Sequence, residues 1–227
     1  MRMHRKSHLD ERLEKRSDLL TVADITEKNM KKAVEMKNYL PLEQIFQNSN
    51  PVHLEIGCGK GKFVLEMAKK HPDVNFIAVE KISNVIIDGV ESVYSAGLKN
   101  VHFLNSSAEV LQRFIKDGTV SRIYLNFSNP LPKLGYTKQR LTHPRFLQIY
   151  KKLLVDGGEI WQKTDNEGFF EFSLESYGEC GFQTLEVCRD LKNANFLENV
   201  ITEHEQRFMD DGLPIFRVVA RLKKDVN

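Results

Sequence analysis

Short apolar runs and longer amphipathic stretches alternate along most of the chain. Val52–Gly57 is apolar enough for a buried strand, and Gly61–Lys70 then places Phe63, Val64, Met67 and Ala68 on one helical face. The same alternation predicts strands at Asn75–Glu80, Val101–Asn105, Arg122–Phe127, Gly158–Thr164, Phe182–Arg189 and Ile215–Leu222. Helices are predicted at about 83–96, at 108–114, at 145–154 behind Pro144, at 168–180 and at 202–209. Strand–helix alternation over some 170 residues predicts an α/β protein: a doubly wound, mostly parallel, seven-stranded sheet of Rossmann-like type. Residues 1–50 lack glycine and show weak periodicity. Their start is basic through Arg2, Arg5, Lys6, Arg12, Lys15 and Arg16, which predicts an N-terminal basic arm that lies on a nucleic acid or partner or frays into solvent. The domain proper is then 51–227.

The chain turns on Glu55-Ile56-Gly57-Cys58-Gly59-Lys60-Gly61. Glycines at alternate positions permit a sharp strand-to-helix turn and close approach of a ligand to the backbone, at the strand ends where α/β sheets bind ligands. Lys62 stands where a dinucleotide fingerprint needs glycine, and no phosphate loop of the form G-x-x-x-x-G-K-[ST] is present. Glu55 repels a pyrophosphate but suits a cationic, amine-bearing ligand such as S-adenosylmethionine. The E-x-G-x-G-x-G pattern resembles motif I of class I methyltransferases; a glycine-rich turn of another α/β protein is the plainer alternative. Glu80, at the end of the second strand, can accept from both ribose hydroxyls, a device that NAD proteins share. Ser107 either reaches an adenine amino group or caps the next helix.

Charge adds a second feature. From Gly118 to Val155 there is no Asp or Glu, where roughly five are expected at average acidity. Seven basic residues fall in that block, among them Lys133, Lys138, Arg140 and Arg145, a candidate phosphate-binding face in a chain of net charge +2. Cys58, Cys180 and Cys188 have neither zinc-site spacing nor a disulfide framework, so no metal and a reducing cytoplasm are expected. No apolar run of about 18 residues occurs, so no membrane span is expected.

Four further stretches carry a family resemblance. Tyr124-Leu125-Asn126-Phe127-Ser128-Asn129-Pro130-Leu131-Pro132-Lys133 resembles Y-L-N-F-S-D-P-W-P-K of the bacterial tRNA (guanine-N7-)-methyltransferases. Lys163-Thr164-Asp165-Asn166 matches that family's K-T-D-N, Thr202-Glu203-His204-Glu205 is similar to its T-E-Y-E, and Arg2, Arg5 and Lys6 resemble its basic start. The resemblance implies S-adenosylmethionine as cofactor and N7 methylation of a guanine in the variable loop of tRNA, by a monomer or homodimer. It implies cofactor contacts at Glu55, Glu80, Ser107 and Asn129, beside the contacts that the glycine turn itself suggests at Gly57 and Gly59, with Asn129 as the catalytic candidate. It implies substrate contacts at Lys133, Asp165, Thr202 and Glu205; the RNA contacts expected at Lys138, Arg140 and Arg145 follow from the acid-free basic block. The chain departs from the pattern at Asn129, at Leu131 and at Ser107, where the family carries aspartate, tryptophan and aspartate, and its loop after Lys133 is less basic. Those departures leave a tRNA-binding paralogue with weak or no catalysis as the alternative.

Overall fold

The computed structural model describes residues 4–24, 30–194, 196, 199–201 and 203–223, and the chain divides into two compact units, Met1–Phe114 and Ile115–Asn227. The first unit contains α1 (Leu9–Glu14), β1 (Leu20–Val22), α2 (Met30–Glu35), α3 (Leu42–Phe46), β2 (Val52–Ile56), α4 (Lys62–Lys70), β3 (Asn75–Glu80), α5 (Ser83–Ser95), β4 (Val101–Asn105) and α6 (Leu111–Phe114). Its strands run parallel in the order β1-β4-β3-β2. Every residue of β2 and β4 is buried, which explains why these strands read as continuous runs and not as alternation. Phe63, Val64, Met67 and Ala68 are the buried face of α4.

The second unit contains β5 (Val120–Asn126), a 3-10 helix at Leu134–Gln139, α7 (Pro144–Leu153), β6 (Leu154–Thr164), α8 (Glu167–Glu179), β7 (Phe182–Cys188), α9 (Glu203–Asp210) and β8 (Phe216–Leu222). Its order is β5-β6-β8-β7, with β5 and β6 parallel and β8 inserted antiparallel to both β6 and β7. Pro144 starts α7, and His143 caps it by accepting from the Arg145 amide at 3.2 Å.

The described residues hold eight strands, one more than the seven expected. The addition is β1, from the basic arm. It pairs Leu20, Thr21 and Val22 with Phe103, Leu104 and Asn105, buries Leu20, and sets the Thr21 hydroxyl 2.9 Å from His102 Nε2. Three residues are too few to show a period of two, so this strand left no pattern to read. The 3-10 helix at 134–139 was likewise unreadable, because it buries nothing.

Candidate functional site

In the first unit, β2 delivers the buried Glu55 to the glycine turn. The amides of Gly57 and Cys58 both donate to the Val79 carbonyl, at 2.8 and 3.0 Å, which ties the turn to the end of β3. Gly57 and Gly59 have φ of 83° and 56°, and a Cβ built on either meets nothing within 4 Å. Their backbone therefore faces open space in a conformation that side chains resist. Gly61 serves packing instead: a Cβ there would sit 2.8 Å from the Cα of Gly89 on α5.

Glu80 is half-buried at the end of β3, and its Oε1 accepts from the Ile82 amide at 2.9 Å. The thiol of Cys58, buried between these acids, is pushed well up by burial first and then by the charges of Glu55 and Glu80. It stays a protonated packing group, not a nucleophile. Ser107 stands before the 3-10 turn Ala108–Val110 but makes no side-chain cap, and its Oγ is buried without a protein partner. A buried, unsatisfied hydroxyl beside an open glycine turn and two acids fits a ligand with amine and hydroxyl donors.

In the second unit the chain leaves β5 through Phe127, at φ 49°, whose amide donates to the Lys163 carbonyl at 2.8 Å. Asn129 is exposed, and its Oδ1 accepts from the Leu131 amide at 3.1 Å, closing a side-chain turn that carries Leu131 at φ 45°. Arg140 then braces this loop: its Nη2 and Nε donate to the Leu131 carbonyl at 3.2 and 3.4 Å, and its guanidinium lies 4.6 Å from the centre of the Phe172 ring. Lys133, Lys138 and Arg145 are exposed, with Arg145 stacked over Phe146 at 4.3 Å. The His143 imidazole is pushed toward its neutral form by burial and by the cations Arg145 and Lys138.

Asp165 follows β6, in a turn where the Asn166 amide donates to Thr164 Oγ1 at 3.2 Å and Asn166 Oδ1 caps α8 by accepting from Phe169 at 2.8 Å. Glu205 differs from expectation. The sequence suggested a carboxylate facing a guanine, but the structure buries it fully, with Oε2 2.7 Å from Lys163 Nζ and Oε1 receiving the Asn199 amide. Lys163 itself is buried and also donates to Asn199 Oδ1 at 3.0 Å and to the Val200 carbonyl at 3.1 Å. This anchor was not singled out from the sequence, although Lys163 stands in the quoted K-T-D-N stretch. Thr202 and Arg2 lie outside the described residues. No group of three or more metal-ligating side chains occurs among the described residues.

Residues 49–218 match a family model described as "Putative methyltransferase". The chain is 46% identical over 177 residues to a tRNA (guanine-N(7)-)-methyltransferase of Geobacillus kaustophilus (strain HTA426), covering 78% of this chain and 82% of that one. Among solved structures it is similar to the 16S rRNA methyltransferase KamB, with a TM-score of 0.62 at 15% identity over 82% of this chain and 95% of that one. It is similar also to a SAM-dependent methyltransferase from Aquifex aeolicus, with a TM-score of 0.54 at 16% identity over 88% of this chain and all of that one. These two likenesses concern the fold, an α/β Rossmann-like methyltransferase fold with a mostly parallel sheet. The chain belongs to the tRNA (guanine-N7-)-methyltransferase family.

Proposed function

We propose that this protein transfers a methyl group from S-adenosylmethionine to N7 of a guanine in the variable loop of tRNA. The observation that carries this reading is the 46% identity, over most of both chains, to a curated enzyme named for that reaction. The cofactor supplies an electrophilic methyl on a sulfonium: the methyl–sulfur bond breaks as the N7–carbon bond forms, and the methyl's former bonding pair stays on sulfur as a neutral thioether.

The first unit holds the donor. Gly57 and Gly59 offer bare backbone, Glu55 and Glu80 offer carboxylate acceptors for amine and ribose hydroxyls, and Ser107 offers a hydroxyl. The second unit serves the acceptor. Guanine N7 carries a free lone pair, so no proton has to be removed, and the protein's task is alignment. Asp165 presents a carboxylate to the N1–H and amino edge of the base and to the positive charge that grows on its ring. Glu205, sealed by Lys163 and Asn199, acts behind that surface by holding α9 in place. Asn129 shapes the proline loop through its bond to Leu131, and Arg140 fixes the same loop from behind. Lys133, Lys138 and Arg145 meet phosphates, in a segment without acids. A tRNA substrate supports a cytoplasmic location for the enzyme. No helix among the described residues is long and apolar enough to cross a membrane.

Incubating the protein with S-adenosylmethionine and an unmodified tRNA transcript, then analysing nucleosides by mass spectrometry, tests the reading. It expects 7-methylguanosine at one per tRNA; a methylated nucleoside of another kind, or none, rejects it.

A further inference from the structure

The N-terminal arm has the positive charge expected of an RNA-facing tail, yet that charge is used internally. Residues 4–16 contain five Lys and Arg, and four of them are engaged within the first unit. Arg5 pairs with Asp10, and Lys6 pairs with Asp88 on α5. The Lys6 amide donates to Asn84 Oδ1 at 2.7 Å, and Asn84 Nδ2 returns a bond to the His4 carbonyl at 2.7 Å. Arg12 grips Glu91 with two prongs, Nε to Oε1 at 2.8 Å and Nη2 to Oε2 at 2.7 Å. That grip holds the Glu91 carboxyl below its usual range. The Arg16 guanidinium lies 3.7 Å from the centre of the Tyr94 ring. A cation already matched by a carboxylate has little left to release counterions from a phosphate backbone.

The docked arm also borders an open cleft. A cavity of about 310 Å³ lies between it and the β3–α5 loop, lined by Arg5, Leu9, Asp10, Ile82, Ser83 and Asn84. That volume is at the lower end of ligand pockets. Leu9 and Ile82 give it apolar walls; Asp10, Ser83 and Asn84 give it polar edges, the combination that suits a planar heteroaromatic ring with an amino group. Two of its lining residues are tied by hydrogen bonds to the strand ends of the donor site. Ile82 donates its amide to Glu80, Ser83 Oγ lies 2.7 Å from Asn105 Oδ1, and Asn105 Nδ2 donates to the Glu80 carbonyl at 2.7 Å.

We infer that the N-terminal arm is a wall of the donor pocket, with Leu9 and Asp10 closing over the adenosine end of the cofactor, and not a tail that binds RNA. This rests on the reading of Glu80 as a ribose acceptor in a methyltransferase. Arg5 orients Asp10, and the pairs Lys6–Asp88 and Arg12–Glu91 clamp the arm along α5, so loosening the clamp has to weaken cofactor binding without touching RNA affinity.

The test is calorimetry with S-adenosylhomocysteine on the full chain, beside tRNA binding across a salt series. The double variant Lys6→Gln, Arg12→Gln should raise the Kd for S-adenosylhomocysteine by about five- to twentyfold. Its tRNA affinity should stay within about twofold of the parent, with the same salt slope. Glu91→Gln weakens the Arg12 half of the clamp from α5, leaves the arm's own sequence intact, and should shift the Kd in the same direction by a smaller amount. Amide hydrogen exchange of residues 4–16 in the unaltered protein should slow when S-adenosylhomocysteine binds. Unchanged cofactor affinity in both variants overturns the inference, as does unchanged exchange. A loss of tRNA affinity with a slope flattened by about two units overturns it too, because the arm's cations would then be reaching phosphates. The parent titration separates the two levels. A parent that binds no S-adenosylhomocysteine rejects the proposed function itself, whereas a parent that binds it alongside unaffected variants rejects only the role of the arm.

Discussion

The strand ends of the two units are finished in opposite ways. In the first unit they leave backbone bare: Gly57 and Gly59 face open space, and Ser107 keeps a buried hydroxyl without a protein partner. In the second unit most of the side chains singled out are bonded to other protein groups: Asn129 and Arg140 to the Leu131 backbone, Arg140 also over Phe172, Glu205 to Lys163 and Asn199, while Ser128 Oγ, like that of Ser107, is buried without a protein partner. A small, fixed cofactor needs a preformed cradle with donors and acceptors left over. On the proposed reading, a large polyanion is met by the exposed cations Lys133, Lys138 and Arg145, and the motif residues bonded to the protein keep that surface rigid.

The largest effect expected from this contrast is on folding stability. Lys163→Met leaves Glu205 charged, buried and without its cation, which should cost about 3–5 kcal/mol in urea unfolding. Adding Glu205→Gln should recover much of the loss, since the buried charge is then gone. A stable single variant would mean that the second unit is not braced through this pair.

Next is Glu80→Ala. Loss of a charge-assisted acceptor should weaken S-adenosylhomocysteine binding by on the order of ten- to a hundredfold in calorimetry. The acid also accepts from the Ile82 amide, so stability should fall by only about 0.5–1.5 kcal/mol. A large stability loss with intact affinity would assign Glu80 to the scaffold and erase the contrast.

The cations then divide in two. Lys133→Gln with Lys138→Gln should flatten the log–log salt dependence of tRNA binding by nearly two units. Arg140→Gln should leave that slope unchanged and lower the methylation rate, because it loosens the loop instead of removing a phosphate contact. Equal slopes for all three positions would return Arg140 to the RNA face.

The smallest effect belongs to Asn129→Asp. The side chain is exposed, so a new charge there is screened and worth about 0.2–1 kcal/mol toward the cationic product ring. Single-turnover methylation should rise by roughly one and a half- to fivefold, with tRNA affinity unchanged. A hundredfold rise would show that the loop is desolvated when the substrate is bound.

Much of this architecture was legible beforehand, for identifiable reasons. β3 and β4 are continuous apolar runs between turn signals, and both were bounded to the residue. α7 was found through Pro144 and its amphipathic face. β1 left no pattern because a three-residue strand has no period. Residue type and position singled out Glu55, the glycines and Glu80, and the structure sets them together at the ends of β2 and β3. The commitments of Arg140 and Glu205 were not legible: a guanidinium facing a carbonyl and one facing a phosphate are the same letter. The pairing of Lys163 with Glu205 spans 42 residues and exists only in three dimensions.

One substitution in the substrate bears most directly on the central claim. Two tRNA transcripts that differ only at the variable-loop guanine, one natural and one carrying 7-deazaguanine, should bind this protein equally, because only a ring nitrogen is lost. Methyl transfer from labelled S-adenosylmethionine should proceed to about one equivalent on the natural transcript and be absent from the 7-deaza transcript, which has no N7 lone pair to attack. Equal transfer to both would place the methyl on another atom and contradict the account.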